Sequence, residues 1–290
     1  MGRPTRRALL AGALAVTTLG AARPPQMLGV DPGSGVDGTP SPDRHRQDRL
    51  RLADATLVQG SFTSSAMRGA QVGWAVCYPP GTTEESLLPV VLALHGGFGN
   101  HLQVFEGMGL LRAQSSPGLV TDVAVASVDA GTSYYHRRAD GTDTGAMIAQ
   151  EFLPLLAARG LDTTRLGLTG FSMGGYGSVL LAATVLRGQV AAVAPISAAF
   201  WPSFTAAPPF AFDSAEDFSE HDVFAARAAL STVPLSVACG LSDPFLTDNR
   251  DFVAGFATPP TIRFTPGGHN NPYWASVAAS QLAFLSRYLA

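Results

Sequence analysis

One pentapeptide has residue types and spacing suited to nucleophilic chemistry: Gly170-Phe171-Ser172-Met173-Gly174. A serine flanked in this way fits a sharp strand-to-helix turn that holds its hydroxyl clear of the backbone. Such a hydroxyl needs a base for its proton and amides for the oxyanion. Of the six histidines, His269 alone follows the last strand expected from the pattern, in the turn Pro266-Gly267-Gly268-His269-Asn270. The acid should follow the preceding strand, where Gly240-Leu241-Ser242-Asp243-Pro244 offers Asp243. Asp248 is the alternative, though its place suits the first turn of the next helix, where a carboxylate meets the positive end of the dipole. The pentapeptide alone would also suit a glycine turn with a helix-capping serine. Ser172, Asp243 and His269 together, in a chain order known for such triads, point to serine-based acyl chemistry.

The oxyanion site is expected in His95-Gly96-Gly97-Phe98-Gly99-Asn100. Here the amide of Gly97, or of Phe98, would pair with that of Met173, and His95 would anchor the loop. Substrate walls are expected from Phe98, from Tyr134 and Tyr135 in the loop after a strand, and from Trp201 in a phenylalanine-rich insert. Phe200, Phe204, Phe210 and Phe212 share that insert, either as pocket lining or as its own core. No H-E-x-x-H motif or clustered Cys/His pattern is present, so no metal and no cofactor are expected. Cys77 and Cys239 read as isolated thiols on separate strands, unsuited to a disulfide.

These residues must be positioned by strands. Short apolar runs bounded by turn residues occur at 72–78, 90–94, 123–128, 166–169, 190–196, 235–239 and 261–264. Segments with helical spacing lie between or after them, at 146–158, 175–186, 223–230, 249–256 and 273–289. The alternation predicts an α/β domain, a mostly parallel central sheet with helices on both faces. The aperiodic stretch 198–222 reads as a short lid-like insert. Ligands in such sheets bind at the carboxyl ends of the strands, where all the candidate residues fall.

Composition sets the outer limits. With 46% hydrophobic and 14% charged residues the chain can bury a large core, which excludes wholesale disorder. Its 22 acids against 19 bases, all of them arginine, exclude a polyanion-binding surface by net charge, so no nucleic acid partner is expected. The first 22 residues read as a signal peptide. Arg3, Arg6 and Arg7 precede an apolar run from Ala8 to Leu19 and the small residues Gly20, Ala21 and Ala22. The paired arginines are of twin-arginine type, and an uncleaved anchor is the alternative. Residues 23–55 read as a linker or disordered arm, and 56–290 as the folded domain. The expected localisation is therefore exported, secreted or at the cell envelope.

From about Gly73 onward the chain resembles the putative-esterase branch of the α/β-hydrolases. That branch includes S-formylglutathione hydrolases, feruloyl esterases and secreted mycobacterial mycolyltransferases. The resemblance rests on the HGG loop, Ser133-Tyr134-Tyr135, the GFSMGGYGS elbow, the CGLSDPF segment and the final GGHNNPYW. It implies an α/β-hydrolase fold, the same triad, and Gly97 and Met173 as oxyanion donors. Two departures set the chain apart from the mycolyltransferases: His95-Gly96-Gly97-Phe98 replaces their Asp-Gly-Leu-Arg-type loop, and Asp243 replaces their glutamate. The expected function is an exported serine carboxylesterase acting through an acyl-enzyme on a small-molecule or lipid ester. The alternatives are an acyltransferase of the mycolyltransferase type and a non-catalytic envelope protein with the same fold.

Overall fold

A computed structural model describes residues 49–52, 55–84, 86–116 and 122–290. The expected signal peptide and most of the expected linker lie outside these residues. The core is a sheet of nine strands in the order β1-β2-β3-β5-β4-β6-β7-β8-β9. The strands are β1 (Arg49–Leu52), β2 (Ala55–Ser64), β3 (Ala70–Tyr78), β4 (Pro89–Leu94), β5 (Ala124–Val128), β6 (Asp162–Phe171), β7 (Val190–Ile196), β8 (Ser236–Gly240) and β9 (Thr261–Thr265). The first strands pair antiparallel as far as β3 on β5, and every pairing from β5 through β4 to β9 is parallel.

Side chains alternate across the sheet, and the alternation assigns two cores. Val90, Leu92 and Leu94 of β4 point into one core while Val91 and Ala93 point into the other. The first core is covered by α3 (Thr144–Met147), α4 (Leu153–Ala158), α5 (Met173–Ala183) and α7 (Leu246–Ala254); the second by α1 (Gln103–Glu106), α2 (Leu110–Gln114) and α8 (Asn271–Ser286). α6 (Ala215–Glu220) lies within the phenylalanine-rich insert and buries none of its residues. All eleven residues of α5 are buried.

Three differences from the sequence reading have local causes. β2 has no place among the expected strands, because Gly60 and the polar residues around it break the alternation. The gap is needed, since a Cβ on Gly60 would lie 2.7 Å from the Trp74 indole on β3. β1 and the start of β2 also carry the sheet into the stretch read as linker. The helix expected at 146–158 is interrupted by a wide π turn, Ile148–Phe152. It ends where Pro154, which has no amide to donate, enters the first turn of α4.

A buried amide ties the first residue of β8 to α8. Gln281 Oε1 accepts from Ser236 Oγ at 2.6 Å, and its Nε2 donates to the Ser236 carbonyl at 2.7 Å. This fixes β8 against α8, and hence the loops that follow β8 and precede α8. Gln281→Leu would strand a buried hydroxyl and a carbonyl. We expect it to cost about 1–3 kcal/mol in urea unfolding. An unchanged midpoint would mean that the tie carries no stability.

Candidate active site

The polypeptide reverses so tightly between β6 and α5 that Ser172 sits at φ 55° and ψ −122°. Its amide donates to the carbonyls of Ile196 and Ser197, both at 3.1 Å, and its carbonyl accepts from Tyr176 at 3.1 Å and Ala199 at 2.9 Å. A serine backbone with positive φ persists only when surrounded in this way. The flanking glycines are steric requirements. A Cβ on Gly174 would lie 2.0 Å from the Leu94 carbonyl oxygen, and one on Gly170 would lie 2.5 Å from that of Gly174.

Three strand ends bring their side chains to this serine. His269 Nε2 lies 3.0 Å from Ser172 Oγ, and its Nδ1 lies 3.0 Å and 3.2 Å from the two carboxylate oxygens of Asp243. The Asp243 side chain is fully buried. Burial works to raise its pKa, but hydrogen bonds from His269 and from the Phe245 amide, at 2.9 Å, help hold it below 3.8. Asp243 is therefore ionised at neutral pH, and the His269 Nδ1 proton faces it, leaving Nε2 free to accept from the serine. Asp248, the alternative acid, lies instead in the first turn of α7.

The HGG loop is strapped to the loop after β5 at both ends. His95 Nδ1 donates to the Gly96 carbonyl at 2.7 Å, and its Nε2 accepts from the Ala130 amide at 2.9 Å. Asp129 receives the His101 amide at 2.7 Å and its Nδ1 at 2.8 Å. Between these anchors the Gly99 amide donates to the Gly96 carbonyl at 3.2 Å. Gly97 and Phe98 are then the central residues of a turn, with Phe98 at φ 61°. Met173 opens α5, where the first amides have no acceptor within the helix.

A model of the family described as "Putative esterase" matches residues 64–276. The chain belongs to this esterase family. No curated protein matches its sequence. Its fold is shared with a ferulic acid esterase at 22% identity and TM-score 0.70, over 81% of this chain and 98% of that one. It is shared as well with an S-formylglutathione hydrolase from Agrobacterium tumefaciens, at 16% identity and TM-score 0.71, over 84% and 99%. Mycobacterium tuberculosis MPT51 aligns at 16% identity and TM-score 0.63, over 79% and 99%. The chain is thus an α/β-hydrolase in fold, with the sheet and flanking helices expected of one.

Aromatic side chains wall the esterase site. Phe98, 78% exposed, meets Phe210 of the insert edge-on, with ring centroids 5.1 Å apart. Trp201 donates from its indole nitrogen to the Tyr134 hydroxyl at 3.2 Å and meets Phe245 edge-on at 5.0 Å. The Phe245 ring lies 5.2 Å from that of His269, and the Trp274 indole meets the same imidazole from another side, also at 5.2 Å. Sequence reasoning passed over Phe245 and Trp274, although each stands close in the chain to a triad residue. Arg138 holds the insert in place. Its guanidinium bonds both carboxylate oxygens of Asp213 and donates to the Phe210 carbonyl at 2.9 Å. Hydrogen bonds from Arg138 lower the Asp213 carboxyl to about 2.

One expected wall residue is not a wall. Tyr135 is completely enclosed, its ring against Gly177 of α5 and its hydroxyl donating to the His95 carbonyl at 3.0 Å. It braces the HGG loop from beneath and cannot touch substrate. The insert phenylalanines divide in the same way: Phe200 and Phe212 are core, while Phe204 and Phe210 are partly exposed.

The straps set a pH dependence. Burial pushes the pKa of His95 below 6.5, because the ring must stay neutral to accept from Ala130. A group that binds fewer protons folded than unfolded weakens the fold as pH falls. The stabilisation from neutral His95 is complete above about pH 6.5 and is lost as pH drops through the folded value. We expect the unfolding midpoint to fall on acidification below 6.5, and His95→Gln to flatten that slope. A variant slope as steep as that of wild type would clear His95 of the effect.

Proposed function

We propose that this esterase is a serine carboxylesterase that works through an acyl-enzyme. The observation carrying the reading is the continuous run of hydrogen-bond distances from Ser172 Oγ through His269 to Asp243, ending at a strained turn. Ser172 attacks the ester carbonyl as His269 Nε2 takes its proton. The tetrahedral oxyanion is met by amides of the Gly97 turn and of Met173. His269 then gives the proton to the leaving alcohol, and the Ser172 acyl ester remains. Water, deprotonated by His269, attacks that ester, releases the acid and restores the serine. Asp243 stays ionised throughout and stabilises the imidazolium.

The substrate class follows from the walls. Phe98, Phe210, Trp201 and Phe245 suit an acyl group that is flat or apolar, and a ferulic acid esterase is among the proteins of similar fold. We place the protein outside the cytoplasm, on the support of Arg6 and Arg7 ahead of the apolar run to Leu19.

Two measurements test the reading. p-Nitrophenyl esters of increasing acyl length should be turned over, and a fluorophosphonate should label the chain. Ser172→Ala should abolish labelling and lower kcat by roughly 10⁴-fold or more, and Asp243→Asn should lower kcat by about 10⁴-fold with labelling slowed. A folded wild type that is neither labelled nor active would sink the proposal. Transfer of the acyl group to an added alcohol in place of free acid would replace hydrolysis by acyl transfer.

A further inference from the structure

Away from the triad, the insert meets the loop after β5 through His136, Asp217 and His221. One ligand-type atom from each lies within 4.8 Å of the others. Asp217 and His221 are one helical turn apart, at α6 and its C-cap, and His136 directly follows Tyr135. Asp217 Oδ1 is 3.0 Å from His221 Nδ1 and 3.4 Å from His136 Nδ1. Two ligands bonded at about 2.1 Å to one ion lie roughly 3.0 Å apart at a right angle and roughly 3.4 Å apart at the tetrahedral angle.

The partners of His136 leave a cation missing. Its Nδ1 faces the Arg137 carbonyl at 2.8 Å as well as Asp217, and its Nε2 faces the Ala211 carbonyl at 3.1 Å. Every atom opposite either nitrogen is an acceptor. A neutral imidazole has one N–H, so in either tautomer a bare lone pair points at oxygen. A cation on Nδ1, with the single proton on Nε2, gives each nitrogen a partner of the right kind.

We propose that His136, Asp217 and His221 form a binding site for a divalent transition-metal ion of the zinc class, which staples the insert to the loop that carries Tyr134. The outer partners are those such a site needs. With Nδ1 on the ion, His136 Nε2–H donates to Ala211. Asp217 Oδ2 is already oriented by the Asp213 amide at 2.7 Å. A cavity of about 310 Å³, bordered by His136, His221 and Glu220, gives solvent access for a further ligand. The two rings are 25° from parallel, so one must turn to bring both nitrogens onto the ion. The His221 side chain, 20% exposed against 1% for His136, has the room to do so, and in turning its Nδ1 leaves the Asp217 carbonyl that it now faces at 2.8 Å. No local pattern marks the site, because His136 stands far along the chain from the Asp-x-x-x-His pair.

The test uses the full chain without a histidine tag. Titration with Co²⁺ should give visible ligand-field bands that saturate at one ion per chain, and Zn²⁺ should displace them and raise Tm. His221→Ala and Asp217→Asn should each weaken Co²⁺ binding at least tenfold, while circular dichroism and a cooperative thermal transition show that the variants are folded. His136→Ala should abolish the bands. Absence of saturable Co²⁺ and Zn²⁺ binding to folded wild type overturns the proposal, and so does binding that survives both His221→Ala and Asp217→Asn. Because the readout is metal binding, it stands or falls independently of ester hydrolysis.

Discussion

The whole site depends on how closely α5 approaches the sheet. Gly174 passes the Leu94 carbonyl with no room for a Cβ, and Gly170 has none against Gly174. The approach forces the backbone of Ser172 into a conformation that an L-residue adopts at a cost of about 1–3 kcal/mol. The surroundings hold it there: β7 and the residues after it saturate both the amide and the carbonyl of Ser172. The hydroxyl is left as the one group of that residue turned toward His269. Complete burial of α5 supplies the apolar contact that offsets the strain.

A second layer of polar contacts fixes what faces the serine. The HGG turn hangs between His95 and His101, and both are fastened to Asp129-Ala130 after the neighbouring strand. Tyr135 closes the arrangement by bonding the His95 carbonyl from below. His95 and Tyr135 are buried while His101 and Asp129 are partly exposed, and the buried pair would be costly left without partners. The turn at Gly97 and Phe98 is therefore held by the two strand ends it bridges. On the far side, Arg138, Asp213 and the stacked histidines hold the insert, and the aromatic wall depends on that hold. The cleft thus has one face set by the sheet and another set by ionisable groups at the rim.

Much of this was legible beforehand, for identifiable reasons. The apolar runs at 90–94 and 190–196 coincide with strands to within a residue, since buried parallel strands are apolar on both faces; 261–264 coincides with the exposed edge strand β9. Ser172, Asp243 and His269 were legible because turn chemistry at successive strand ends leaves a local mark. β2 left a weak one, because its middle must be a glycine beneath Trp74. Tyr134 and Tyr135 are both buried and look alike in sequence, yet they part company in space, one bonded to the Trp201 indole and the other under α5. Phe245, Trp274 and the cluster of His136 with Asp217 and His221 left none, since nothing in the chain announces which distant ring will meet them.

The amino-acid sequence by itself determined the strand–helix alternation, the glycine spacing that permits the serine turn, and the chain order of Ser172, Asp243 and His269. These are local properties, fixed by backbone sterics and by the period of apolar residues. Tertiary structure decided which residues face the cleft, which brace it from beneath, and where ionisable groups far apart in the chain meet. Those outcomes depend on burial and on contacts between segments scores of residues apart, which no local pattern encodes.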